Sequence, residues 1–176
     1  MTHFKDLNIP NELIENLDSL GYKEMTPIQQ ISIPHILNQK DIIGKAKTGS
    51  GKTLAFALPL INKIKAKQQN PQALIIVPTR ELGEQIAQEL KRVARYKADV
   101  KIVTLYGGTS LTTQVTSLKK GADILVGTVG RLLDHFSRET IELSEIRTLI
   151  LDEADRMLDM GFADDILKIV SNLPKK

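Results

Sequence analysis

The chain has no cysteine among its 176 residues, which excludes a disulfide framework and a thiolate metal site. It fits a reducing, cytoplasmic setting. Tryptophan is also absent, and aromatics make up only 4% of the residues, so an aromatic base-stacking platform is not its main binding device. The three histidines, His3, His35 and His135, lie far apart and show no metal-ligand spacing; each reads as a surface or partly packed imidazole. No apolar run approaches the roughly 18 residues of a membrane span, and no signal core opens the chain. Neither repeats nor low-complexity segments occur. There is little excess of either charge: 24 Lys and Arg against 21 Asp and Glu leave a net +3, which permits a polyanionic partner without requiring one.

What is present alternates. Short, mostly β-branched apolar runs stand at residues 42–44, 73–77, 101–105, 124–126 and 148–151. Helical patterns fill residues 52–65, 81–96, 111–118 and 131–136 between them. Before these, a helix is expected over residues 12–20, capped by Asn11 and ended by Gly21. A second starts at Thr26-Pro27, with Pro34 kinking or restarting it. Such alternation predicts an α/β fold: a parallel sheet with helices on both faces, in one domain. Ligands of such sheets gather beyond the carboxyl ends of the strands.

The most informative segment is Ala46-Lys47-Thr48-Gly49-Ser50-Gly51-Lys52-Thr53. A predicted strand leads into it and a helix leads out, the context of a phosphate-binding loop. Its glycines let several backbone N–H groups face one point, backed by the helix N-terminus. Lys52 reaches the β- and γ-phosphates of a nucleotide, and the Thr53 hydroxyl suits a magnesium ion. The opening residue is Ala46 where the usual pattern has glycine. About a hundred residues on, an apolar run ends in Asp152-Glu153-Ala154-Asp155. Two acids at the end of a buried strand call for a cation. Asp152 would hold magnesium through water, and Glu153 would position or deprotonate the attacking water. Asp155 reads as a structural residue bonded to a neighbouring motif.

Together these motifs resemble the DEAD-box RNA helicases, and the chain spells Asp-Glu-Ala-Asp at 152–155. Gly21 to Gln29 is similar to that family's adenine-reading motif, with Phe4 at the upstream aromatic position. The resemblance implies that Gln29 reads adenine, that Tyr22 stacks on it and that Phe4 packs nearby. Pro78-Thr79-Arg80, Gly107-Gly108 and Thr128-Val129-Gly130-Arg131 resemble the family's RNA-contacting motifs. In them Thr79 and Thr128 look like helix caps, and Arg80 and Arg131 add charge-assisted bonds to the sugar–phosphate backbone. Such contacts grip without reading bases. Val129 stands where the family usually has proline, so a loosened helical turn is expected there.

The resemblance covers the whole chain. It implies a RecA-like domain over residues 1–176, with a helical region at 1–40 and an α/β core at 41–176. Within the family the run from Arg131 to His135 and the run from Asp152 to Phe162 are most similar to bacterial DbpA-like helicases, which act in assembly of the large ribosomal subunit. ATP and magnesium are the implied cofactors, RNA the implied partner. Stopping at Lys176, the chain lacks the Ser-Ala-Thr strand and the second RecA-like domain of the family. The expectation is a C-terminally truncated fragment that binds nucleotide weakly and barely hydrolyses it. A nucleotide-gated RNA clamp, with hydrolysis only for release, is the alternative. A guanine-reading Asn-Lys-x-Asp sequence is absent, which argues against a GTPase.

Overall fold

A computed structural model describes residues 2–174. The chain divides into two compact units, one comprising Met1–Ile64 and Gln88–Ala98, the other Lys65–Ala87 and Asp99–Lys176.

The first unit is helical. Helix α1 spans Asn11–Ser19, with Pro10 and not Asn11 at the N-cap. It ends as expected at Gly21, which takes φ +83°. There Gly21 N donates to Asp18 O and Tyr22 N to Leu17 O, satisfying two terminal carbonyls. Helix α2 spans Pro27–Leu37 behind an N-cap at Thr26, with proline in the first helical position. Pro34 neither kinks it to a stop nor restarts it; α2 continues through. Helix α3, Lys52–Lys63, likewise tolerates Pro59. Residues 41–47 form no strand, against the expectation for 42–44, and Ile43 is fully exposed. A β-branched triplet has strand propensity, but a strand exists only where another backbone pairs with it. Phe4 is 1% exposed, and its segment is pinned by Phe4 N to Lys23 O and by Met25 N to Thr2 O. It therefore packs beside residues 23–25.

The second unit holds the sheet. Strands β1 (Ala73–Val77), β2 (Ile102–Leu105), β3 (Ile124–Thr128) and β4 (Thr148–Leu151) are all parallel, in the order β2-β3-β1-β4. Register puts Leu74 beside Leu125 and Leu149, and Val103 beside Leu125. This face packs on Val129 and Leu132 of α6 (Val129–Ser137), on Met157 of α7 (Ala154–Asp159), and on Ile166 and Ile169 of α8 (Ala163–Ser171). On the other face Val77 lies against Gly83 of α4, a helix spanning Arg80–Val93. Every residue of β1 is buried, so its near-continuous apolar run has helices on both sides, as the pattern predicted. α5 (Leu111–Lys119) follows β2. Among the described residues no helix is long and apolar enough to cross a membrane.

Candidate functional site

In the first unit, the phosphate loop and the segment holding Gln29 touch. Gly51 is the N-cap of α3 at φ +90°, a conformation L side chains rarely adopt. A Cβ there would meet the Gln29 carboxamide and lie 3.1 Å from Thr26 Oγ1. Glycine at 51 thus serves both the turn and the close packing. Gln29 is 3% exposed. Its Oε1 accepts from Thr26 N at 2.9 Å, and its Nε2 donates to Gly51 O at 3.0 Å. Lys52 Nζ donates to Ala46 O at 2.5 Å and to Lys47 O at 3.0 Å, so the ammonium is held by its own loop. The Ser50 hydroxyl is buried with no hydrogen-bond partner among the described residues. Lys47, Thr48 and Gly49 are exposed, and Thr53 lies in the first turn of α3. Tyr22 sits with this unit's α4 segment. Its hydroxyl donates to Glu89 at 2.8 Å, and the Arg92 guanidinium lies 5.8 Å from its ring centroid. Burial, then the bond and charge of Glu89, hold the phenol pKa above its usual value.

In the second unit, the remaining candidates cluster where the four strands end. Pro78, Thr79 and Arg80 follow β1. Pro78 is buried, and Thr79 Oγ1 accepts from Leu82 N at 3.3 Å, the cap expected of it. Arg80 pairs with Glu84 at 2.8 Å and lies 5.3 Å from the Tyr106 ring centroid. Gly107 and Gly108 follow β2, both exposed. β3 runs directly into α6, with Thr128 at the N-cap. Its backbone is extended, but its hydroxyl makes no capping bond, so it caps by position and not by side chain. Val129 opens α6 and is 1% exposed, in the core. Gly130 is exposed, and Arg131 donates to Thr109 O at 3.3 Å and Gln114 Oε1 at 3.2 Å.

β4 ends at Asp152 and Glu153. Asp152 N continues the ladder to Ile76 O, and its Oδ1 accepts from Glu153 N at 3.1 Å. Glu153 takes φ +51°, the left-handed region, and pairs with Arg156 at 3.2 Å. The Asp155 carboxylate accepts from Arg156 N at 2.9 Å, within its own helix. The expected bond to a neighbouring motif is not made among the described residues.

Sequence placed neither of two further residues at the site. Gln114 is 4% exposed and bonded to Arg131. His135 is 0% exposed, which corrects its reading as a surface or partly packed imidazole. Its position was available from the pattern: Val129, Leu132 and His135 recur at helical spacing on the buried stripe of α6. Burial, then the charge of Arg131, hold the His135 pKa below its usual value.

Comparison with known proteins gives a consistent picture. The DEAD/DEAH box helicase family model matches residues 26–176. The DEAD-box ATP-dependent RNA helicase CshA of Bacillus cereus is 46% identical over 175 residues, covering 99% of this chain and 33% of that protein. The ATP-dependent RNA helicase DeaD of Haemophilus influenzae is 48% identical over 172 residues, covering 98% of this chain and 28% of that protein. The crystal structure of a DEAD box protein from Methanococcus jannaschii superimposes with a TM-score of 0.94 at 39% identity, covering 99% of this chain and 47% of that one. The chain spans about a third of the length of the curated relatives it matches.

Proposed function

The chain belongs to the DEAD/DEAH box helicase family, and from that membership we propose that it is the ATP- and RNA-binding N-terminal RecA-like domain of an ATP-dependent RNA helicase. The observation that carries the adenine half is the bonding capacity left on Gln29. A carboxamide has two N–H donors and two acceptor lone pairs. Gly51 O takes one donor and Thr26 N one lone pair. One of each remains, on a buried group against the phosphate loop. Adenine presents one N6–H donor and the N7 acceptor on the matching edge. Guanine presents O6 and N7, both acceptors, and would set O6 against the Gln29 oxygen.

Nucleotide binding then requires Lys52 to leave the carbonyls of Ala46 and Lys47 for the phosphates. That exchange trades two bonds to neutral carbonyls for stronger bonds to anions. The buried Ser50 hydroxyl, without a partner among the described residues, adds polar capacity to the same unit. The donors present fit magnesium. Among the described residues no group of three or more His, Cys, Asp or Glu forms a metal cage. The Thr53 hydroxyl and the Asp152 carboxylate would each offer a hard oxygen of the kind magnesium takes. When bound, the ion neutralises charge on the phosphates. The Glu153 carboxylate accepts a proton from the attacking water as its oxygen bonds to the γ-phosphorus. The bond from that phosphorus to the bridging oxygen breaks, and ADP leaves with the electron pair.

RNA lies, in this reading, across the ends of the strands. Arg80 and Arg131 supply charge, and Pro78, Thr79, Gly107, Gly108, Thr128 and Gly130 supply backbone approach. A second RecA-like domain of the longer protein completes hydrolysis and couples it to remodelling of structured RNA. Similarity to DbpA-like helicases supports ribosomal RNA in large-subunit assembly as the target. The lack of cysteine supports a cytoplasmic location.

The test is competition of ATP and GTP against a fluorescent adenine nucleotide. Two extra hydrogen bonds to the base are worth roughly 1–3 kcal/mol, about 5- to 150-fold in favour of ATP. Gln29→Ala is expected to erase that preference. Equal affinities for ATP and GTP in the unsubstituted chain would refute the adenine reading.

A further inference from the structure

We infer that Gln114 and His135 are positioning residues for RNA binding, holding Arg131 and the Gly107-Gly108 turn in one fixed relation. This rests on the reading that Arg131 and that turn contact the RNA backbone.

The Gln114 carboxamide has no bonding capacity left. Its Nε2 donates to Tyr106 O at 2.9 Å and to Thr109 Oγ1 at 2.5 Å. Its Oε1 accepts from Arg131 Nη1 at 3.2 Å and from His135 Nε2 at 2.9 Å. Two donors and two lone pairs are thus all used. The donor side grips Tyr106 and Thr109, which flank Gly107 and Gly108. The acceptor side grips α6 through Arg131 and His135. One side chain on α5 therefore ties the segment after β2 to the helix after β3. Arg131 Nη1 adds a second tie, to Thr109 O at 3.3 Å.

His135 sets which way the carboxamide faces. Gln114 Oε1 can only accept, so His135 Nε2 carries the proton. The neutral ring then accepts at Nδ1 from the Thr140 hydroxyl, 2.7 Å away, which takes that one proton in preference to the His135 carbonyl 3.1 Å from the same oxygen. A flipped Gln114 would put its NH2 against two donors, Arg131 and His135, and its oxygen against the Tyr106 carbonyl. Both residues are buried, and an unmet polar group there costs about 1–3 kcal/mol, which fixes a single orientation. The half-used carboxamide of Gln29 contrasts with this one: Gln29 keeps capacity for a ligand, whereas Gln114 spends all of it on the protein.

The test measures binding of a fluorescein-labelled oligouridylate by anisotropy, with a non-hydrolysable ATP analogue, across a potassium chloride series. Arg131→Ala, Gln114→Met and their double variant are compared with the unsubstituted chain. Gln114→Met keeps the volume and removes all four bonds. Losing one charge-assisted phosphate contact is expected to weaken binding roughly tenfold. It also lowers the slope of log affinity against log salt by about 0.7. Gln114→Met should show both changes, and the double variant no further loss in slope. ATP-analogue affinity should stay unchanged, since the four Gln114 bonds go to Tyr106, Thr109, Arg131 and His135, none of which is proposed to hold nucleotide. A merely structural role would lower the melting midpoint and leave the slope of the folded protein intact, and that result would overturn the inference. A slope unchanged in Arg131→Ala would overturn the RNA reading itself, and the inference with it. If Gln114→Met fails to fold, His135→Phe carries the same readouts, because it keeps a buried ring while removing the Nε2–H that orients Gln114.

Discussion

Replacing Gly130 with alanine should stabilise the chain and weaken its hold on RNA at once. Gly130 is the second residue of α6, it is exposed, and its φ is not in the left-handed region. An ideal Cβ placed there meets nothing within 4 Å. The fold therefore gains nothing from glycine at 130 and loses helix propensity. Gly→Ala at a compatible site is worth about 0.4–1 kcal/mol. For a chain of this size that raises the melting midpoint by roughly 1–4 °C. A methyl group on that surface would obstruct close backbone approach, so RNA affinity should fall several-fold. Gly127, three residues earlier, is the control. A Cβ there would lie 2.8 Å from both Cγ and Cδ2 of the fully buried Leu132 and 3.1 Å from the Leu105 carbonyl. Overpacking of this kind costs about 1–3 kcal/mol, so Gly127→Ala should lower the midpoint by roughly 2–12 °C. Calorimetric melts and oligouridylate anisotropy on the two variants decide the matter. A lowered midpoint for Gly130→Ala, or a raised one with RNA affinity intact, would refute the reasoning.

Three further outcomes are expected. His135 has its pKa lowered in the folded state by burial, then by Arg131 and Arg138 against the opposing pull of Asp134. The unfolded chain therefore binds the extra proton first. This contribution to stability is fully present above the ordinary histidine value near 6.5 and is lost as pH falls toward the folded pKa. Melting midpoints measured from pH 7.5 to 5 should fall less steeply in His135→Phe than in the unsubstituted chain, and equal slopes would contradict the assignment. Asn16→Ala removes donations from Asn16 Nδ2 to Arg92 O at 3.1 Å and Val93 O at 3.0 Å. It should cost about 1–2 kcal/mol, read as a midpoint drop of roughly 2–8 °C. Val129→Pro should leave ATP binding intact, because α6 begins at Val129 and Thr128 is already extended, as a residue before proline must be. A tenfold or larger gain in RNA affinity would show that position to matter more than its packing implies.

The sheet was legible wherever local pattern and pairing agree. β1 at 73–77 and β4 at 148–151 have the expected bounds, because each apolar run is flanked by turn residues and pairs with a neighbouring strand; β1 is fully buried, whereas β4 is only partly buried and ends on an exposed Leu151, against the expectation of a buried strand ahead of Asp152. The run at 42–44 has the same local character, but pairing is a property of distant chain and does not show in three residues. Pro34 shows the converse. A strong local breaker sits inside α2, where the surrounding helix outweighs one lost hydrogen bond. Within the candidate site, the glycine-rich loop and Lys52 stand at the head of α3, where the spacing put them. The partner of Gln29, the carbonyl of Gly51, was not legible, because it lies 22 residues away across a loop. Likewise the anchoring of Tyr22 to Glu89 spans 67 residues. Gln114 carries no signal in its neighbourhood; its role exists only through four bonds to two separate segments.

The left-handed backbone of Glu153 has a practical consequence for engineering. A non-glycine residue in that region carries about 1–2 kcal/mol of strain. The exposed pair with Arg156 offsets little of it. Glycine at 153 would relax the backbone and raise heat resistance. It would also delete the carboxylate on which the proposed hydrolysis depends. A directed-evolution campaign scored only on survival of heating would reward that change. Any thermostable variant of this chain selected without a turnover assay should therefore be sequenced first at 153.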